Sequence, residues 1–141
     1  METVRQNIFQ LRQEITPCAQ ATLLGISRGI DAEMPSEKIV RAAAAGLRGG
    51  IGKTFNEGTC GALTGAVIAL GLLFYDDEAK ATELSNELFN YFMDEFGTVM
   101  CGKITNEHGL KKCTECCVKA GCRVAEMYER ETSYIINART Q

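Results

Sequence analysis

The sequence predicts an all-α fold: a single-domain helical bundle of about five or six helices built around a buried central helix. Three observations carry that expectation. Apolar residues recur at three- and four-residue intervals through most of the chain, and no segment alternates as a half-buried strand would. Helix-starting and helix-stopping residues punctuate it, with Thr16-Pro17, Ser36 and Thr59 as starts and Gly97 as a stop. Both prolines, Pro17 and Pro35, lie at predicted helix starts. The length of 141 residues suits one domain over residues 1–141. A chain of this size buries about two thirds of its unfolded surface, so cross-links are not needed to hold it.

In chain order, Val4, Ile8, Leu11 and Ile15 form one face of a first helix. Thr16 reads as an N-cap and Pro17 as the first residue of a second helix, where a missing amide costs nothing. Cys18 falls in that helix's first turn. Ser36 opens a third helix with Ile39, Val40, Ala43, Ala44 and Leu47 facing inward. A glycine-rich loop follows, with Gly46, Gly49, Gly50, Gly52 and Gly58. Thr59 reads as the next N-cap, and Cys60 starts the helix CGALTGAVIALGLLFY, apolar on every side and therefore expected at the centre. Gly61, Gly65 and Ala69 recur every four residues along it. Small residues at that spacing admit a neighbouring backbone, a cofactor or a second copy in a homodimer. Asp76 to Phe96 forms a long amphipathic helix with Leu84, Leu88, Tyr91, Phe92 and Phe96 inward, and Gly97 ends it. Cys101 comes just after this stop. A last helix is expected from near Gly109, with Cys113, Cys117, Ala120, Val124 and Met127 on its inner face, and the closing INARTQ is expected to fray.

Composition excludes several function classes. The net charge of −3, with no run of Lys or Arg longer than Lys111-Lys112, argues against nucleic acid, whose phosphates need clustered cations. The strongly apolar stretch from about 62 to 74 is shorter than the roughly 20 residues of a membrane span. METVRQNIFQLRQEI shows no basic segment leading into an apolar one, as an export signal would. The expectation is a cytoplasmic protein, in a compartment that keeps thiols reduced.

In that setting the seven cysteines, Cys18, Cys60, Cys101, Cys113, Cys116, Cys117 and Cys122, point to redox chemistry or a soft metal more than to disulfides. A thiol in a helix's first turn meets unpaired amides and the positive end of the dipole, which favours the thiolate. Cys18 and Cys60 have that placement. Any single cysteine can equally be a small buried hydrophobe, and Cys116 and Cys122, off the inner stripe, are assigned to packing or surface. Zinc sites favour two close cysteine pairs. Cys113-x2-Cys116 gives one, and Cys18, Cys60 and Cys101 are dispersed, as in a site assembled by tertiary folding. An iron–sulfur cluster tolerates such spacing, and an all-thiolate pocket also suits Cu(I) or zinc.

Three other features carry less. LRGGIGKT approaches a phosphate-binding loop, but Leu47 stands where its first glycine belongs and no strand precedes it. A flexible turn near Cys60 is the simpler reading. His108, in Asn-Glu-His-Gly, reads as a polar surface residue, not as half of a Cys–His pair. Asp76, Asp77, Glu78, Asp94 and Glu95 read as a solvated helix surface.

Cys60-Gly61-Ala62-Leu63-Thr64-Gly65 matches C-G-A-x-x-G. It follows a glycine loop and Cys18-Ala19-Gln20-Ala21, and it precedes Phe96-Gly97-x3-Cys101 and Lys112-Cys113. In that order the chain resembles the C_GCAxxG_C_C family of putative redox-active proteins, over nearly its whole length. The resemblance implies four characteristic cysteines, here Cys18, Cys60, Cys101 and Cys113. It also extends to the iron–sulfur portion of split-Soret cytochromes, which implies a [2Fe–2S] cluster. The C-x-x-C-H of covalent haem attachment is absent here. Cys116, Cys117 and Cys122 are additions to the family pattern, and Cys117, one turn beyond Cys113, is an alternative fourth ligand.

The expectation is therefore that Cys18, Cys60, Cys101 and Cys113 converge beside the start of the central helix. There they would hold a [2Fe–2S] cluster for electron transfer or redox sensing, exchanging electrons with a partner protein the sequence does not name. Amides of the glycine loop would stabilise the cluster's negative charge. Two alternatives stand beside it. One is a metal-free thiol–disulfide oxidoreductase, with Cys60 as the attacking thiolate and Cys18 or Cys101 as the resolving thiol. The other is a Cu(I) or zinc protein using the same pocket.

Overall fold

The computed structural model describes the backbone of residues 1–140 and the side chains of residues 1–105 and 111–133. His108 and the INARTQ tail, whose surface setting and fraying the sequence suggests, lie outside the described side chains. Among the described residues there are six α-helices and no strand: α1 Glu2–Gln13, α2 Cys18–Gly29, α3 Glu37–Ala44, α4 Gly61–Leu73, α5 Glu78–Phe96 and α6 Cys101–Thr140. A short 3-10 turn, Ala45–Leu47, extends α3. The expected all-α class holds.

α2 and α4 form the heart of the bundle, and α6 runs against both while also covering α1. α5 closes the outer side of α4, and α3 closes that of α2. The small-residue face of α4 explains how α2 and α4 come so close. A Cβ at Gly65 would sit 2.5 Å from the Ala19 carbonyl oxygen, and one at Gly61 would sit 2.9 Å from the Ala19 amide nitrogen. That face is thus occupied by α2 of the same chain. Ile8 of α1 fills a second close contact, wedged between Gly25 of α2 and Gly121 of α6.

Several boundaries differ from the sequence reading, each for a physical reason. α1 stops at Gln13, and Ile15 turns outward at φ 63° and is 83% exposed. The amide of Ile15 donates to Arg12 and that of Thr16 to Leu11, a Schellman closure with isoleucine where glycine is usual. Pro17 forces Thr16 out of the helical region and so ends the first helix. Pro17 is itself the cap of α2, which moves the helix start one residue to Cys18. Likewise Cys60, not Thr59, is the cap of α4. Ser36 and Asp77 cap α3 and α5 as side-chain acceptors, and Gly97 ends α5 in the left-handed region at φ 72°. On α3 only Val40 and Ala44 are buried, whereas Ile39 is exposed. α4 is not enclosed on every side, since Val67 and Gly71 reach solvent where no helix covers it.

The largest departure is α6. It starts at Cys101 and runs unbroken through Gly109. The reason lies just before it. Residues 58–60 and 99–101 meet in an isolated antiparallel bridge, Thr59 opposite Met100. The Cys60 amide donates to Val99 (2.6 Å) and the Cys101 amide to Gly58 (2.9 Å). This pairing fixes the chain up to Cys101, so the helix is released there.

Candidate functional site

That same bridge brings two of the expected cysteines together. Cys60 ends one bridge strand and caps α4, while Cys101 ends the other and opens α6. α2 delivers Cys18 in its first turn against Gly61, whose missing side chain leaves room for the Cys18 Cβ. α6, passing α2 and α4, supplies Cys113, Cys116 and Cys117 from one face, at spacings of three and four residues. All six thiols are buried or half-buried, and no disulfide links them.

The thiols are organised in pairs. The thiols of Cys113 and Cys117 lie beside the Cys18 sulfur as potential donors. These two donors, and more weakly the positive charge of Arg12, hold Cys18 well below the ordinary thiol range although burial opposes them. The Cys117 thiol also lies 3.7 Å from the Cys18 carbonyl oxygen. Cys60 receives a hydrogen bond from Cys116, and the first-turn amides of Ala62 and Leu63 face its sulfur, so its pKa falls as well. The donors respond in the opposite sense. Cys113, Cys116 and Cys117 are pushed up, first because each donates to a neighbouring thiolate and second because each is buried. Burial raises Cys101, and the charges of Cys60 and Cys18 add to the effect. The Thr22 hydroxyl, fully buried and without a well-formed hydrogen bond, faces the Cys117 sulfur.

Four features bear on the sequence reading. Cys18 of α2, Cys60 at the cap of α4, and both Cys101 and Cys113 of α6 lie in the region of the start of α4, so three elements supply these four thiols. Cys116, assigned to packing or surface, is fully buried and belongs to the cluster as the partner of Cys60. Its i+3 relation to Cys113 was the signal that could have placed it there. Cys122 stands apart, its thiol 3.9 Å from the Met1 carbonyl, with burial raising its pKa. The glycine loop does not aim its amides at the sulfurs. It spends them on itself, Gly52 to Gly46 (2.8 Å), Lys53 to Arg48 (2.8 Å) and Phe55 to Gly49 (2.9 Å). With no strand before it, this self-bonded loop does not have the phosphate-loop architecture.

Among the described residues, no three His, Cys, Asp or Glu side chains are arranged to hold a single ion. Access to the thiols is through a cleft of about 770 Å³, onto which Cys18, Cys101 and Cys113 open beside Arg12. Arg12 is anchored at this wall, donating from its Nη1 to the Thr16 carbonyl (2.7 Å) and from its Nε to the Thr114 hydroxyl (3.3 Å). No helix among the described residues is long and apolar enough to cross a membrane.

Neither the curated proteins nor the solved structures contain a match to the chain. A family model does match, spanning residues 16–130 and so including every cysteine of the sequence, and its description is "Putative redox-active protein (C_GCAxxG_C_C)". With the C-G-A-x-x-G segment and the gathered thiols inside that span, the chain belongs to the C_GCAxxG_C_C redox-active family.

Proposed function

We propose that the clustered cysteines hold a [2Fe–2S] cluster and that the protein transfers electrons or senses redox state. The observation that carries this reading is the gathering of thiols from three chain segments beside the start of α4: Cys18 of α2, Cys60 at the cap of α4, and Cys101, Cys113 and Cys116 of α6. The donor set fits the group. A two-iron cluster takes four thiolates, two on each iron, and so needs no trio of side chains around one ion. A zinc site asks for three or four ligands about a single centre, which the described side chains do not present.

Such a cluster supplies a one-electron couple. The chain's own contribution is to prepare the ligands and protect them. The first turns of α2 and α4 stabilise negative sulfur at Cys18 and Cys60 before any metal arrives. Cys113 and Cys117 both lie against Cys18, and Cys116 lies against Cys60, so each thiolate has a second thiol at hand to complete a pair. Binding would release the protons that Cys113 and its neighbours hold. Apolar residues behind the thiols, Leu63 and Ile104 among them, are buried and keep water from the inner side. A reducing cytoplasm would suit such a centre.

One observation favours a second reading, metal-free thiol–disulfide exchange. Cys18 opens on the cleft with its pKa lowered by neighbouring thiols, and two of those thiols lie beside it, placed to resolve a mixed disulfide. In that case Cys18 is the better nucleophile than Cys60, which is only 2% exposed. Anaerobic purification separates the readings. A brown protein whose visible absorption is lost on oxidation or chelation supports the cluster. A colourless, iron-free protein that forms a reversible Cys18 disulfide supports exchange instead.

A further inference from the structure

The cleft over the thiols has features that neither reading uses. Its wall carries three cations, Arg12, Arg48 and Lys53, in a protein of net charge −3. Among the described residues none of the three has a carboxylate within ion-pair distance, whereas Arg28, Lys119, Arg123 and Arg130 elsewhere are all paired. Between the cations the wall is apolar, formed by Ile15, Pro17 and Phe55.

The backbone singles out the same place. Ile15, Lys53 and Phe55, at φ 63°, 64° and 36°, are the three described non-glycine residues with positive φ, and all three line this cleft. A β-branched or bulky residue in that region is a true outlier, and such strain concentrates at ligand clamps and active sites. The strain is held in place. Ile15 sits in the closure of α1, and Lys53 and Phe55 are bonded back to Arg48 and Gly49 across the glycine loop. The Ile51 amide adds a bond to the Thr54 hydroxyl (3.1 Å). Arg48 and Lys53 are thus presented by a braced loop, facing the anchored Arg12.

We infer that this cleft binds a small organic anion bearing two or more carboxylate or phosphate groups, seated beside the redox thiols. Guanidinium groups recognise both kinds of oxyanion through paired hydrogen bonds. The three unpaired cations supply the charge, and Ile15, Pro17 and Phe55 cover the ligand's carbon body. The volume of about 770 Å³ lies within the range of small-molecule sites. Arg48, Lys53 and Phe55 stand outside the thiol cluster, whereas Arg12 lies beside Cys18 and the cleft is shared with Cys18, Cys101 and Cys113.

The test is titration calorimetry on the protein as purified, with citrate and pyrophosphate as probes and glycerol as the neutral control. Citrate, pyrophosphate or both should bind with a Kd below about 1 mM, weaken as salt is raised, and leave glycerol unbound. The stronger arm identifies carboxylate or phosphate as the preferred group. The double variant Arg48→Ala/Lys53→Gly removes two cations and relieves the Lys53 backbone. It should weaken binding at least about tenfold with a thermal midpoint no lower than that of the wild type and unchanged iron content. Absence of binding by both anions, or equal binding by the double variant, would overturn the inference. Either result would leave the cluster proposal standing, because iron content is read separately.

Discussion

Cys18 shows how a single side chain acquires chemistry from its surroundings. It begins α2, lies beside the thiols of Cys113 and Cys117, and is near Arg12. The direction of its shift fixes the sign of its pH response. A lowered pKa keeps the thiolate populated below the ordinary thiol range, so reactivity persists as pH falls. In metal-free protein, iodoacetamide should label Cys18 at a nearly constant rate from pH 8 to about pH 6, where an unperturbed thiol slows about tenfold per unit. Replacing both donors, Cys113→Ala/Cys117→Ala, should restore the ordinary slope, as read by mass spectrometry of the labelled peptide. If wild-type Cys18 already follows the ordinary slope, the hydrogen-bonded thiolate is wrong. Cys122 provides the contrast. It lies by Met1, away from the cluster, and Cys122→Ser should leave iron binding unaltered, whereas Cys116→Ala should alter it, measured as iron retained after gel filtration.

Among the helices, the contact of α2 with α4 places the site, and it rests on two glycines. Gly65→Ala would drive a methyl group to within 2.5 Å of the Ala19 carbonyl, a backbone atom that cannot rotate away. Urea unfolding should show a loss of about 1–3 kcal/mol. Gly46→Ala, where an added Cβ meets nothing within 4 Å, should cost less than about 0.5 kcal/mol. Equal effects at the two positions would mean that the close approach is not what holds these helices. Much of this was legible beforehand. Gly61, Gly65 and Ala69 announced a close neighbour, and Leu84, Leu88 and Phe92 announced the buried stripe of α5. The start of α6 was hidden because the pairing of residues 58–60 with 99–101 is a tertiary event. Local signals around Gly109 pointed to a helix start there, whereas α6 begins at Cys101. Ile15 misled in the opposite way, since its spacing fits a helix that Pro17 brings to an end.

Taken whole, the fold is a device for assembling one site from distant segments. α2, α4 and α6 each start at the same end, so their unpaired amides and cysteines collect there, and the bridge between residues 59 and 100 locks two of those starts together. The cysteine pattern pointed to Cys18, Cys60, Cys101 and Cys113 and set aside Cys116, which α6 brings beside Cys60. It did not disclose that the thiols would pair, Cys18 with Cys113 and Cys117 and Cys60 with Cys116, because pairing depends on how α6 crosses the other two helices. The cations of the cleft were invisible for the same reason. Arg12, Arg48 and Lys53 are scattered in sequence and meet only once the glycine loop folds against the end of α1. Iron and acid-labile sulfide, counted in protein purified without air, test the proposed centre most directly. About two of each per chain are expected, falling together in the Cys18→Ala/Cys60→Ala variant. Wild-type protein holding neither iron nor sulfide under those conditions would contradict it.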